Sequence, residues 1–212
     1  MVMQHVFIVG SKGIPGAYCG YETFVDKLTE YHQEHPNLRY HVACKDTENR
    51  EEVYHNARCF HVKVPNIGSA QAIWYDVAAL SACCKHIKKQ GIQKPVVYIL
   101  ACRIGPFMQH YARKIHKLGG VVYVNPDGHE WLRAKWPAPV RKYWKISEQM
   151  MTKHADLMVC DSKNIEKLLI QLLEGLALLH KRDIIHLDIK PGNIMLTRFG
   201  GNVKITDLGF CA

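Results

Sequence analysis

Three stretches of this chain hold side chains able to do chemistry. The first is Asn125-Pro126-Asp127-Gly128-His129-Glu130-Trp131, directly after the apolar run Val121 to Val124. Asp127, His129 and Glu130 are each competent to take a proton from a hydroxyl, because a carboxylate or imidazole held at hydrogen-bond distance acts as a general base. The bland alternative is structural: Asp127 closes a turn with Gly128, and His129 anchors the loop. The second stretch is the glycine-rich run from Gly10 to Gly20, between Val6-Phe7-Ile8-Val9 and Tyr21-Glu22-Thr23. A glycine-rich strand-to-helix loop brings backbone close to a phosphate or sugar, and the helix N-terminus adds N–H donors. The run lacks the closing GK[ST] of a Walker loop and the spacing of G-x-G-x-x-G, so a tight structural turn remains the alternative. The third is Trp131 to Lys145, where bases and aromatics interleave. It reads as a membrane-facing patch, or as a solvated basic helix with its aromatics turned into the core. Nucleic-acid binding is the weakest of the three readings, since no recognition motif accompanies the charge. Arg103, just after Val96 to Ala101, is suited to pair with pyrophosphate oxygens or, equally, with a neighbouring carboxylate.

The elements that must position these groups alternate. Strands are predicted at His5 to Gly10, Leu38 to Cys44, Arg58 to Val64, Val96 to Ala101, Val121 to Val124 and Leu157 to Cys160. Helices are predicted at Tyr21 to His35, at Ser69 to Lys89 with Ser69 as N-cap, at Gly105 to Leu118, at Pro139 to His154 and after Ser162. Short strands that are apolar throughout imply a mainly parallel sheet covered on both faces, a Rossmann-like three-layer α/β sandwich. Ligands of such sheets bind at the carboxyl ends of the strands.

Composition agrees with a globular domain: 48% hydrophobic and 22% charged residues. The net charge of +9 favours anionic partners. No run of about eighteen apolar residues occurs, and Met1 to Gly10 is too short for a signal peptide, so a cytoplasmic location is expected. The eight cysteines form no CxxC pair and the thirteen histidines no HExxH, so reduced buried thiols are expected and no metal site.

The segments GSKGIPGAYCGYETFVDKL, VKVPNIGSAQAIWYDVAAL, VVYILACRIGPF, GGVVYVNPDGHEWLRAKWPAPVRKYWKISEQ and HADLMVCDSKNIEKLL resemble bacterial rhamnosyltransferases of streptococcal-type capsular and cell-wall polysaccharide synthesis. The resemblance covers residues 1–168. It implies a GT-B N-terminal domain, a dTDP-rhamnose donor, no tightly bound cofactor, and a lipid-pyrophosphate-linked sugar acceptor met at the anionic inner membrane face. The family's glycine-rich loop falls on Gly13, Gly16 and Gly20, with Cys19 where a second glycine is usual. An inverting transfer would take its base from Asp127, His129 or Glu130. The N-terminal domain of such enzymes mostly holds the acceptor, so this chain alone is expected to be inactive.

Residues 169–212 resemble the middle of a protein kinase. His186-Leu187-Asp188-Ile189-Lys190-Pro191-Gly192-Asn193 follows the catalytic-loop pattern with Leu187 for Arg, and Asp207-Leu208-Gly209 follows DFG with Leu for Phe. The resemblance implies Asp188 as the base, Lys190 at the γ-phosphate, and Asn193 and Asp207 on magnesium. No G-x-G-x-x-G covers the phosphates, so Mg-ATP enters only if this fragment functions. A short helix and hairpin are expected here. The junction falls inside one amphipathic helix, which points to a chimera.

Overall fold

In the computed structural model, which describes residues 3–16, 20–126, 130–132, 136–159, 163–190, 193–196 and 202–208, the apolar runs become the centre of one sheet. The first unit, Met1–Val159, runs β1 (Gln4–Val9), α1 (Gly20–Tyr31), β2 (Leu38–Asp46), β3 (Glu51–Tyr54), β4 (Ala57–Lys63), α2 (Gln71–Gln90), β5 (Val96–Leu100), α3 (Gly105–Lys117), β6 (Val121–Asn125), α4 (Ala138–Lys153) and β7 (Leu157–Met158). The strand order is β3-β4-β2-β1-β5-β6-β7. All neighbours are parallel except β3 and β4.

Successive residues of a strand point to opposite faces. Phe7 and Val9 join Val97, Ile99, Val122 and Val124 beneath α2, α3 and Met151 of α4. Ile8 joins Val42, Tyr98 and Leu100 beneath Val25 of α1. Both faces are therefore buried, which is why these strands read as continuous apolar runs. Each fully buried Phe, Ile or Val contributes roughly 1.5–3 kcal/mol. The unit is the expected three-layer α/β sandwich with a mainly parallel sheet.

Several details differ from the sequence-based expectation: α1 ends at Tyr31 rather than His35, and β7 spans Leu157–Met158. Ser69 lies in a 3-10 turn, Gly68–Ala70, and α2 begins after it with Ala70 at the N-cap and no side-chain cap. The edge strand β3 was not foreseen because Glu51 and Glu52 break any apolar alternation. Its signal is the two-residue turn His55-Asn56, both at positive φ, which folds β3 back on β4.

The second unit, Cys160–Ala212, consists of α5 (Lys163–His180) and the antiparallel hairpin β8 (Ile194–Leu196) and β9 (Val203–Ile205). The Val203 N–H donates to Gln171 Oε1 at 2.8 Å. α5 passes unbroken through residue 169, where the two sequence resemblances meet. Among this unit's described residues no apolar side chain is buried; the buried ones are His186 and Asn193. Among the described residues its deepest groups are these two polar side chains, while Ile205 of β9 packs against Gly175 of α5.

Gly10 ends β1 at φ +104°, and a Cβ there would stand 1.9 Å from the Leu100 carbonyl oxygen. Gly20, at the start of α1, has open space where its Cβ would be. Gly10→Ala is therefore expected to cost about 3 kcal/mol or more, while Gly20→Ala stays within about 0.5 kcal/mol. Urea unfolding of the two variants checks this. Equal effects would contradict the packing described.

Candidate functional site

From β1 the chain turns first to β2 on one side and later to β5 on the other. The loops after β1 and β5 diverge there, opening a crevice at the carboxyl ends of the strands. A cavity of about 290 Å³ occupies it. Gly10, Ser11 and Lys12 come from the β1 loop, Glu22 from α1, Lys45 from the end of β2 and Tyr75 from α2. Arg103, Pro126 and Glu130 follow β5 and β6, and Trp136, Trp144 and Glu148 belong to α4 and its approach.

Arg103 organises the floor. Its Nη1 donates to the Gly10 carbonyl at 3.1 Å and to Asp76 Oδ2 at 3.3 Å. Its own carbonyl accepts from the Tyr143 hydroxyl at 2.7 Å. The Tyr75 hydroxyl holds the Ser11 carbonyl at 2.8 Å, and Glu22 Oε1 accepts the Lys12 N–H at 2.8 Å. Ser147 Oγ accepts from the Gly105 N–H at 2.8 Å and donates to the Cys102 carbonyl at 2.7 Å, which fixes the start of α3 against α4. The ring wall is built from pairs. Trp136 Nε1 donates to Glu130 at 2.9 Å, Trp131 Nε1 donates to Glu148 at 3.2 Å, and the Trp136 and Trp144 rings lie 6.3 Å apart.

Two cavity-lining groups, Ser11 Oγ and Trp144 Nε1, are buried with no hydrogen-bond partner among the described residues. Asp76 is fully buried, with Oδ1 also unpartnered. Burial pushes the Asp76 carboxyl up to about 7, against the opposing pull of Arg103.

The sequence-derived residues distribute as follows. Arg103 and Glu130 line the cavity, and Arg103 pairs with a carboxylate as well. Gly13 instead packs on Cys44, where a Cβ would stand 2.6 Å from the sulfur. Gly16 packs on the α1 backbone at Glu22, and its N–H donates to Asp26 Oδ2 at 3.2 Å. Gly20 opens α1. Asp127 and His129 lie outside the described residues. Sequence reasoning placed Ser11 and Trp144 only within their stretches and missed Asp76 and Glu148. Asp76 carried a signal, as the single acid within the otherwise apolar Ala72 to Leu80. Trp144 and Glu148 are one helical turn apart and so share a face.

A larger trough of about 650 Å³ runs along the β3–β4 edge and the outer side of α2, away from the crevice. Its Arg50 pairs with Asp46 and Glu52, and its Arg58 pairs with Glu51. Among the described residues no group of three or more His, Cys, Asp or Glu is placed to hold a metal ion. Cys44, Cys59, Cys83, Cys84 and Cys102 are free and buried.

In the second unit Asp188, Lys190 and Asn193 come together. Lys190 Nζ meets Asp188 Oδ2 at 2.6 Å, and Asn193 Nδ2 donates to the same oxygen at 3.1 Å and to the Asp188 carbonyl at 3.0 Å. The Lys190 partner holds the Asp188 carboxyl below its ordinary range. His186 and Thr206 join the loop to the end of β9, with Nε2 2.9 Å from the Thr206 carbonyl. Asp207 sits at φ +65° beside this group.

A family model described as "Domain of unknown function (DUF1972)" matches residues 3–175, and one described as "Protein kinase domain" matches residues 141–212. Curated relatives include serine/threonine-protein kinase CLA4 of Candida albicans, 52% identical over 24% of this chain and 5% of that one. Serine/threonine-protein kinase 17A of Oryctolagus cuniculus is 39% identical over 31% of this chain and 16% of that one. The chain thus spans a small part of these kinases. A solved structure from E. coli, described as trehalose-6-phosphate bound with UDP-2-fluoro glucose, aligns with TM-score 0.41 and 11% identity over 96% of this chain and 48% of that one. A trehalose 6-phosphate synthase of Burkholderia multivorans aligns with TM-score 0.42 and 10% identity, over 97% and 48%.

Asp76 generates a pH prediction. Its folded value is raised above the ordinary carboxylate range, so its contribution to stability is fully present below about pH 4 and is lost as pH rises through about 7. In Asp76→Asn this loss disappears. Melting curves from pH 4.5 to 8 are expected to show the parent falling relative to the variant as pH rises. A parent that gains on the variant over that range would contradict the assignment.

Proposed function

We propose that this chain, which belongs to the family described as Domain of unknown function (DUF1972), is the acceptor-binding part of a sugar transferase. The carrying observation is the crevice at the strand ends, where indole faces, carboxylates and cationic side chains converge around a cavity large enough for one sugar ring. The C–H faces of a sugar pack on indole rings, and its hydroxyls both donate to carboxylates and accept from cationic or neutral donors. Ser11 Oγ and Trp144 Nε1 have unspent hydrogen-bonding capacity for such hydroxyls.

On this reading a rhamnosyl group passes from dTDP-rhamnose to a lipid-pyrophosphate-linked sugar, on a GT-B scaffold whose other half holds the donor. The acceptor sugar lies against Trp136 and Trp144. Arg103, Lys12 and Lys45 face its pyrophosphate, where charge-assisted hydrogen bonds are strongest. Glu130 stands on the wall as the base that takes the acceptor hydroxyl proton, with Asp127 and His129 as its rivals. Donor binding needs a second sheet, so the 212 residues alone bind acceptor without turnover.

The second reading is a kinase-like phosphotransferase, favoured by the Asp188, Lys190 and Asn193 cluster. Phosphoryl transfer rests on positioning and on electrostatic stabilisation in a dry cleft. Asp188 and Lys190 are substantially exposed, and the sequence has no G-x-G-x-x-G to cover phosphates. We therefore assign no phosphotransfer to it. A third reading, a non-catalytic chimeric module, differs in binding no sugar at all.

A soluble glycosyl pyrophosphate is expected to change the tryptophan fluorescence of the chain saturably. Arg103→Ala and Glu148→Gln should each weaken binding about tenfold or more, since each removes a charged partner. No rhamnosylated product should appear when dTDP-rhamnose is added. Unchanged affinity in both variants would remove the crevice from consideration. For the second unit, titration calorimetry with Mg-ATP should give no micromolar binding. Micromolar binding abolished by Asp207→Ala would instead favour the phosphotransferase reading.

A further inference from the structure

We infer that Asp76 is a positioning residue of the crevice, and that an anionic sugar ligand binding there draws a proton from solvent onto its carboxyl. The inference rests on the reading of the crevice as a ligand site and adds how that site responds to pH.

Asp76 lies in α2 with no solvent exposure, and its Oδ1 has no hydrogen-bond partner among the described residues. Its Oδ2 meets one cation, Arg103, at 3.3 Å. That is longer than the roughly 2.7–2.9 Å of a strong charged hydrogen bond. The same Nη1 also serves the Gly10 carbonyl at 3.1 Å. A carboxylate buried in this way depends on that guanidinium to stay ionised. Arg103 lines the cavity and Asp76 does not. The Arg103 side chain is 23% exposed, and its Nε and Nη2 make no hydrogen bond among the described residues. One cation thus serves both a buried carboxylate and the cavity.

A phosphate in the cavity competes with Asp76 for the Arg103 charge, and a competing anion favours the protonated carboxyl. The proton comes from solvent and forms an O–H bond on Asp76; no other bond forms or breaks. Burial, against the pull of Arg103, already raises the Asp76 carboxyl to about 7, so a further rise falls near neutral pH. Ligand strengthens the hold of Asp76 on its proton, and by reciprocity that proton strengthens the hold on ligand. Affinity is then highest below about pH 7 and falls as pH rises through it. It levels off once Asp76 is ionised in both free and bound chain.

Other titratable and charged groups face this region. Tyr75 of α2 and Tyr143 of α4 are raised by burial and stay neutral. Lys12 follows β1, Glu22 belongs to α1, Lys45 to β2 and Glu148 to α4, while Cys102 and Glu130 follow β5 and β6. The Cys44 thiol, which packs against Gly13, is lowered to about 7 by the Cys59 thiol and needs its own control.

The test titrates the whole chain with methyl glucosyl pyrophosphate, a diester whose phosphates gain no proton between about pH 5.5 and 8.5, and follows tryptophan fluorescence. The parent is expected to bind about five- to tenfold more weakly at the upper pH than at the lower. Calorimetry near about pH 7.5, in two buffers of different ionisation heat, should show proton uptake on binding. These two measurements decide the matter without any variant. Asp76→Asn, checked for folding by circular dichroism, should bind independently of pH and more tightly than the parent at the upper end. Cys44→Ser should keep the parent's slope. A pH-independent parent with no proton uptake would overturn the inference and leave the crevice a ligand site. So would a slope that survives Asp76→Asn or vanishes in Cys44→Ser. Weaker binding of Asp76→Asn at every pH would also overturn it, since a purely structural tie predicts that. No saturable binding at any pH would remove the crevice reading, and this inference with it.

Discussion

Arg103 ties together three parts of the fold that are far apart in sequence. One nitrogen of its guanidinium reaches the Gly10 carbonyl at the end of β1 and the Asp76 carboxylate inside α2, while its backbone carbonyl is held by Tyr143 of α4. Asp76 is fully buried, and an isolated carboxylate there would cost several kcal/mol. Arg103 relieves that cost above neutral pH, and below it the carboxyl keeps its proton. The loops after β1 and β5 are thereby fixed against α2 and α4, and the crevice between them keeps its shape. The groups lining it, Ser11, Lys12, Trp136, Trp144 and Glu148, all depend on elements that meet at this one side chain.

The scaffold was legible in the sequence because it rests on patterning. Val6 to Val9, Val96 to Leu100 and Val121 to Val124 are apolar at consecutive positions, and only a sheet covered on both faces explains that. The order of strands then puts the crevice at the strand ends. Much of the crevice was not legible. Arg103 and Glu130 could be named because they follow strands directly. The missing side chains of Gly13 and Gly16 make room for Cys44 and for the α1 backbone, a packing that spacing along the chain does not encode. Ser11, Trp144 and Asp76 face the site or its floor through tertiary packing, which spacing along the chain does not encode. The interleaved aromatics of 131–145 were read two ways; Trp131, Trp136 and Tyr143 are hydrogen-bonded to Glu148, Glu130 and the Arg103 carbonyl, and the Trp144 ring nitrogen is buried beside the cavity.

The two units show what a motif needs in order to act. In the second, Asp188, Lys190 and Asn193 hold one another at hydrogen-bond distance, and a specific local pattern suffices for that. No apolar side chain among its described residues is buried. Preorganised charge is effective in a dry, rigid cleft, and here Lys190 and Asp188 are open to solvent. The first unit has fewer recognisable catalytic motifs but sets its polar groups over two hydrophobic layers. That packing, more than motif content, favours the crevice as the working site.

On the proposed reading, ligand meets this chain in the crevice at the strand ends. The most direct measurement is photo-crosslinking with a glycosyl pyrophosphate bearing a diazirine on the sugar, followed by peptide mapping. Labels are expected in peptides holding Ser11-Lys12, Arg103 and Trp144. Labels confined to the sheet-edge trough, on peptides with Arg58, Lys63 and Trp74, would contradict the account.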